Sequence, residues 1–363
     1  MAALKERTQG EIEFVGVGGQ AMERQGLESL ADLAELSVNG FFQPLAKLPS
    51  LLRLFRRLTK ELASADLDAF IGVDFNVFNF LLENALRKRG VKTAHYVSPS
   101  VYAWRKGRTK RVAEVAEMIL CLFPFEPAFY KDTDVEPVFV GHPLADAIAM
   151  DAGDADAKQA ARAELGMPLE QPVLAVLPGS RSQEVRMMLP EFVRAADIFC
   201  RTHAAHVVVP CPRPGLRSLI EEGFSNAEFS WQIVDDTATQ TLKACDIALV
   251  KSGTSTLETM LLHRPMVVSY RVGPVSYQIA RRLMQSEFLA LPNILAGKQL
   301  VPEILQYEAS GENLARALSE ELQKSRSDEH YFRPFLQLHE QLSQQADSTA
   351  ANAVLRLMRD GSA

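Results

Sequence analysis

Short, nearly unbroken apolar runs, each followed within a few residues by a helical pattern, recur from one end of this chain to the other. That alternation limits the folds open to it. In the first half the runs are EFVGVGG (13–19), DAFIGVD (68–74), KTAHYVS (92–98), MILCLF (118–123) and PVFVGHP (137–143). The second half repeats the plan with PVLAVLPGS (172–180), AHVVVPCP (205–212), WQIVDD (231–236), DIALVKSGT (246–254), PMVVSYR (265–271) and EFLALPN (287–293). Helix-like stretches lie between them, including PSLLRLFRRLTKELA (49–63), NFLLENALRKRG (79–90) and QEVRMMLPEFVRAADIF (183–199). Strands alternating with helices in this way predict an α/β protein of parallel, helix-covered sheets. A polar, alanine-rich stretch without β-branched residues, 151–171, interrupts the series and marks the domain junction. The expected organisation is a first domain over 1–150, a second over 151–310, and a helical tail over 311–363 packing back across the first. Two consecutive doubly wound domains direct a ligand to the cleft between them, at the carboxyl ends of the strands.

The bulk properties exclude several classes. Four cysteines, Cys121, Cys200, Cys211 and Cys245, form no CxxC pair, and read as buried thiols in a reducing compartment. His203 and His206 stand three apart without a carboxylate or cysteine at ligand spacing, so no metal site is expected. The opening MAALKERTQGE has no apolar core of a secretory signal, and nowhere do 18 apolar residues run together. A cytoplasmic protein, at most a visitor to a membrane surface, is the expectation. The net charge of −6 hides an asymmetry: between Lys47 and Arg111 there are 14 Lys/Arg against 5 Asp/Glu, a local balance of +9. A basic region in an acidic chain suits a phosphate-bearing partner, or it is a set of solvated helix faces.

Two turns in the second half carry the chemistry. PGSR (178–181) closes a strand and opens a helix, which puts Arg181 near free N–H groups and the positive end of the helix dipole. A guanidinium there recognises a phosphate in bidentate fashion, or is a solvent arginine on an ordinary turn. SGTSTLE (252–258) has the same plan: Ser252, Gly253 and Thr254 offer two hydroxyls and an approachable backbone. Glu258, one helical turn beyond Thr254, is placed to accept from ribose hydroxyls, although a cap followed by an acid is also common in structural helices. Two such turns in one domain fit a nucleotide diphosphate better than either alone.

In the first half, Asp74 ends DAFIGVD at a strand's carboxyl edge, where it reads either as a general base or as the cap of the next helix. GVGG (16–19) lacks the spaced third glycine of a dinucleotide fingerprint. HYVSPSVYAWRKGRTKR (95–111) mixes aromatics with a basic run but carries no RNA-binding signature, so no nucleic-acid partner is expected. Along 51–62, Leu51, Phe55, Leu58 and Leu62 share a helical face, with Arg53, Arg56, Arg57 and Lys60 on another. Such a face packs into a core, or lies on an anionic bilayer with leucines inserted and arginines at headgroups.

Taken together, FVGVGGQAMERQG (14–26), HYVSPSVYAWRKGR (95–108), CLFPFEPAFY (121–130), FVGHPLAD (139–146), LPGSRSQEV (177–185), LVKSGTSTLE (249–258), MVVSYRV (266–272) and LPNILAG (291–297) resemble the lipid-A-disaccharide synthase family, in order and over nearly the whole chain. The resemblance implies a GT-B fold, two Rossmann-like domains facing across a cleft with the nucleotide mainly on the second. It implies inverting transfer from UDP-2,3-diacylglucosamine to 2,3-diacylglucosamine 1-phosphate, forming a β-1,6 link and releasing UDP at an anionic inner-membrane surface. Asp74 matches the family's proposed base and Arg181 its catalytically important arginine. Ser180, Ser252, Gly253, Thr254, Glu258, Arg271 and Asn293 fall on the substrate and nucleotide side. Leu51, Arg53, Phe55, Arg56, Arg57 and Leu58 would form the membrane contact. No metal or other cofactor is implied, because cationic side chains and helix termini stabilise the leaving group. A homodimer is left open.

Two departures stand out. MAALKERTQG falls near the end of the family's first helix, so the opening strand and GExSGD-type loop, with part of the acceptor side, are expected to be missing. FNVFN (75–79) replaces the family's APDFN, so Val77 stands where a second aspartate is usual. Rival readings are a UDP-sugar epimerase, a UDP-GlcNAc transferase with a peptidoglycan lipid acceptor, and a nucleotide-sugar-binding protein without turnover.

Overall fold

The computed structural model describes residues 1–36, 43–74, 76–99, 107–235, 238–273, 277, 278, 282 and 286–359. They form two compact units, one of residues 1–143 with 343–363, the other of residues 144–342. The stretch 151–171 belongs to the second unit, and the tail is divided between the two at 342/343. Among the described residues no helix is long and apolar enough to cross a membrane. Nor does any cluster of three His, Cys, Asp or Glu side chains among them suit a metal ion.

Among the described residues all strands pair in parallel. In the first unit β1 (Phe14–Gly16) and β2 (Leu27–Ser29) form one small sheet. β3 (Ala69–Val73), β4 (Lys92–Tyr96), β5 (Met118–Cys121) and β6 (Glu136–Phe139) form another, in chain order. Helices Gln43–Ser64 and Asn76–Arg87 share a core through Leu54, Leu58 and Leu62 of one and Phe78, Leu82 and Leu86 of the other. Leu51 and Phe55 pack against that cluster, and Leu58 is only 1% exposed. The leucine stripe therefore lies in the protein's own core. This corrects the expectation that Leu51, Phe55 and Leu58 insert into a bilayer, because a side chain already removed from water gains little from lipid. Arg53, Arg56 and Arg57 are exposed, as expected.

The described residues of the second unit form one six-stranded sheet. β7 (Val173–Leu177), β8 (His206–Pro210), β9 (Trp231–Val234), β10 (Ile247–Lys251), β11 (Met266–Tyr270) and β12 (Glu303–Leu305) lie in the order β12-β11-β10-β7-β8-β9. Counted from β7 this is the Rossmann order 3-2-1-4-5-6, whose topological switch point falls between β7 and β10. VLAVL and HVVVP are buried along their whole length, as strands covered on both faces must be. Helix Ser182–His203 covers one face through Val185, Met188, Leu189, Phe192, Ala195, Ala196 and Phe199, spaced at helical intervals. Helix Gly311–Ser327 joins the same core with Leu314, Leu318 and Leu322.

EFLALPN, expected as the last strand, is not one. It leads into helix Leu291–Ala296, which has proline in its first turn and left-handed Gly297 as its cap. The last strand is instead β12, three residues long, at one edge of the sheet.

A buried histidine pair lies within the second unit. His339 is fully buried; its Nε2 lies 3.0 Å from the carbonyls of both Ala145 and Ile148, and its Nδ1 lies 3.4 Å from His263 Nε2. With Nε2–H donating to the carbonyls, His339 Nδ1 is placed to accept from His263 Nε2–H. Burial, then the neighbouring His339 and Arg264, push His263 down to about 4 from an ordinary value of 6.5, despite an opposing pull from Asp154. A lowered histidine leaves the unfolded chain binding more protons between those values. Stability is therefore full above about pH 6.5 and falls as pH drops toward 4. We expect a loss of about 2 kcal/mol by pH 5, visible in urea midpoints. His263→Asn should flatten that dependence, because asparagine tolerates the left-handed backbone of this position (φ +51°) and does not titrate.

Candidate active site

The two turns singled out in the second unit follow β7 and β10, the strands that flank the switch point. After Leu177 the chain turns through Pro178 and Gly179, and Arg181 takes the N-cap position of helix Ser182–His203. Gly179 has φ +127°, and a Cβ there would come within 2.9 Å of the Glu184 carboxylate, so only glycine fits. Arg181 points outward, its side chain 79% exposed, with Nη1 3.4 Å from Glu184 Oε1. Ser180 is exposed, and its N–H donates to Glu184 Oε2 at 3.3 Å.

After β10, Ser252 is pinned by its N–H to the Ser269 carbonyl at 2.9 Å and by its hydroxyl to the Leu289 carbonyl at 3.0 Å. Gly253 and Thr254 are exposed at the start of helix Thr254–Leu261. Here the first N–H groups of the helix lack intrahelical partners. Glu258 accepts from the Thr239 hydroxyl; burial raises its carboxyl above the ordinary value, and that hydrogen bond only partly offsets the rise.

Two residues expected on the substrate side, Asn293 and Arg271, brace the second unit. Asn293 is fully buried: Nδ2 donates to the Val301 carbonyl at 2.9 Å and to Glu303 at 2.7 Å, while Oδ1 accepts from the N–H groups of Leu300 and Val301. That uses every donor and acceptor of the amide, so the side chain holds the 297–303 loop and has no polar atom left for a ligand. Arg271 donates Nε to the Gln306 carbonyl, Nη2 to that of Ala309, each at 2.9 Å, and Nη1 to Glu191 at 3.2 Å. Its guanidinium ties the end of β11 to the segment after β12.

In the first unit Asp74 directly follows β3, in the left-handed region at φ +45°. Its N–H donates to the Tyr96 carbonyl at 3.0 Å, and Asn79 Nδ2 donates to the carbonyls of Val73 (3.1 Å) and Asp74 (2.8 Å). The carboxylate itself is exposed and makes no hydrogen bond to the described residues. A capping aspartate has extended backbone and a bonded carboxylate, so this is not a cap. Val97, after β4, has φ +80°. A β-branched residue persists there only where its surroundings force it, and such strain clusters at functional sites. The remainder of the HYVSPSVYAWRKGR motif over 100–106, like Phe75, lies outside the described residues.

Sequence reasoning missed three groups. Lys251 and Glu184 form an ion pair at 3.1 Å across the switch point, and Tyr270 lies under the ammonium at 4.8 Å. The available signal was an acid three residues after Arg181 and a lysine directly before the SGT turn. Asn79 is the third, one turn into the helix after Asp74.

A family model described as lipid-A-disaccharide synthetase matches residues 1–354. A lipid-A-disaccharide synthase of Azotobacter vinelandii is 41% identical over 361 residues, covering 98% of this chain and 93% of that protein. One of Pseudomonas aeruginosa is 42% identical over 360 residues, covering 99% and 93%. Among solved structures, the UDP-GlcNAc 2-epimerase of Neisseria meningitidis bound to UDP-GlcNAc aligns with a TM-score of 0.65 at 12% identity, over 98% of this chain and 95% of that one. Acinetobacter baumannii MurG aligns with a TM-score of 0.55 at 12% identity, over 99% and 94%. The structural likenesses are of fold alone, two Rossmann-like units of the GT-B class. By the match along its length and its identity to these relatives, the chain belongs to the lipid-A-disaccharide synthase family.

Proposed function

We infer that this chain is the glycosyltransferase that makes the lipid A disaccharide. It joins UDP-2,3-diacylglucosamine to 2,3-diacylglucosamine 1-phosphate through a β-1,6 link and releases UDP. The observation that carries this reading is the pair of exposed strand–turn–helix sites at one switch point, PGSR after β7 and SGT after β10, in a chain of this family. UDP binds there, with Arg181 on its phosphates and Ser180, Ser252, Gly253, Thr254 and Glu258 around it. The acceptor's primary hydroxyl attacks the anomeric carbon as the bond to UDP breaks, and its proton passes to Asp74. Charge developing on the departing diphosphate is met by Arg181 and the helix N-terminus.

Asp74→Asn keeps the side chain's shape and suits the left-handed backbone but cannot take a proton. We expect a folded protein whose formation of disaccharide 1-phosphate falls by roughly a hundredfold or more; unchanged turnover would remove Asp74 from the mechanism. Arg181→Ala should lose roughly 2–4 kcal/mol of transition-state stabilisation, read as kcat/KM.

Acylated substrates reside in a bilayer, and we extend the reading to docking on an anionic membrane through Arg53, Arg56 and Lys60, all exposed on helix Gln43–Ser64. With the leucine face buried, this attachment is electrostatic. Sedimentation with anionic vesicles should be strong at low salt and lost near 1 M, where the screening length is about 3 Å. Salt-resistant binding would point to inserted apolar groups instead.

A further inference from the structure

The carboxylate of Glu184 lies at the mouth of the β7 turn, where a phosphate of the nucleotide is expected. Oε2 accepts the Ser180 N–H at 3.3 Å, and Oε1 lies 3.1 Å from Lys251 Nζ and 3.4 Å from Arg181 Nη1. A backbone N–H at a helix start, an ammonium and a guanidinium are the donor set that recognises a phosphate oxygen. Here all three converge on a side chain of the protein itself.

The arrangement is built rather than incidental. Gly179 leaves the space that the carboxylate fills, since a Cβ at that position would lie 2.9 Å from it. Lys251 and Glu184 have side chains only 15% exposed, against 79% for Arg181, and the ammonium is held 4.8 Å from the centroid of the Tyr270 ring. Burial pushes the Glu184 carboxyl up, but Lys251, the Ser180 N–H and Arg181 outweigh it and leave the group below its ordinary value, ionised at neutral pH.

We propose that Glu184 is an internal surrogate for the donor's phosphate: its carboxylate fills the phosphate position in the free enzyme and gives way when nucleotide binds, which frees Lys251 to become a phosphate-binding cation beside Arg181. This rests on the reading that UDP binds at the β7–β10 switch point, and it adds one residue that opposes binding and one that drives it. A diphosphate and a carboxylate cannot share the same two cations without strong repulsion at these distances. The effects of removing Glu184 and Lys251 on affinity must then have opposite signs. A brace that merely orients Lys251 would make both losses harmful.

The test is calorimetric titration of the full chain and its Glu184→Gln, Glu184→Asp and Lys251→Gln variants with UDP and with uridine, each beside its melting temperature. Glu184→Gln should bind UDP roughly three- to tenfold tighter, and Lys251→Gln roughly tenfold weaker, with uridine unchanged in both. Glu184→Asp, which draws the carboxylate back from Ser180, should shift UDP binding in the same direction as Gln and serves if the Gln variant does not fold. Equal or weaker UDP binding by a folded Glu184 variant overturns the surrogate and leaves a brace. Wild-type protein that binds no UDP sinks the switch-point reading itself, a result distinct from wild-type binding that Glu184→Gln fails to tighten.

Discussion

β7 and β10 are neighbours in the six-stranded sheet although about seventy residues separate them, and Asp246, immediately before β10, fixes how they meet. Its Oδ2 accepts the Val173 N–H at 2.8 Å and Arg162 Nη2 at 2.5 Å, its Oδ1 accepts Lys158 Nζ at 2.8 Å, and its own N–H donates to the Val173 carbonyl at 2.8 Å. Arg162, 4% exposed, also donates to the carbonyls of Ala244 and Leu169. Taking a carboxylate out of water costs several kcal/mol, and only a filled set of partners offsets it. Burial alone would raise the Asp246 carboxyl; Lys158, the Val173 N–H and Arg162 hold it below its ordinary value instead. With the strands pinned at this end, the register Ile247↔Leu174 through Val250↔Leu177 follows, and the opposite ends deliver the PGSR and SGT turns side by side.

Much of this was legible in the sequence because parallel strands buried on both faces write themselves as apolar runs. Ten of the eleven runs named there overlap an observed strand, from Phe14–Gly16 to Met266–Tyr270. The exceptions are informative. EFLALPN has the apolar content of a strand, but Pro292 and Gly297 start and stop a short helix, so punctuation outweighs hydrophobicity. β2 and β12 have three residues each, and no period can be read from so few. The stripe Leu51, Phe55, Leu58 and Leu62 reads by default as a core face, and as a bilayer contact only where the substrate is a lipid. Periodicity reports that one face is apolar and cannot say what covers it; the cluster with Phe78, Leu82 and Leu86 does.

The candidate site was legible in place but not in detail. Strand–turn–helix punctuation located Arg181 and Ser252–Thr254, because proline, glycine and hydroxyl residues mark such turns by their backbone geometry. What each side chain does depends on partners distant in sequence. Lys251 meets Glu184 across 67 residues, and Arg271 reaches Glu191 across 80. Asn293 shows the limit plainly: a polar residue in a recognisable motif can owe its place to the loop it holds.

Asp74 extends the argument to the first unit. An exposed carboxylate is useful for proton transfer only if its backbone cannot wander, and here the constraint comes from below. Gly72, two residues earlier in β3, has no side chain because a Cβ would meet Glu83 Oε1 at 2.0 Å. Glu83 in turn bonds His95 Nδ1 at 2.6 Å, with both side chains fully buried. Burial raises the Glu83 carboxyl and His95 only partly offsets it, while Oε2 has no hydrogen-bond partner among the described residues. A buried pair of this kind does little for stability but tolerates few alternative packings. It joins helix Asn76–Arg87 to β4, and the same helix supplies Asn79 to the Val73 and Asp74 carbonyls while β4 supplies the Tyr96 carbonyl to the Asp74 N–H. Both units thus present an exposed charged side chain, Asp74 in one and Arg181 in the other, on a turn whose backbone is fixed by a close-approach glycine and a buried or half-buried glutamate. Asp74 is left exposed because the constraint acts on its backbone, whereas Arg181 also meets Glu184 through its guanidinium.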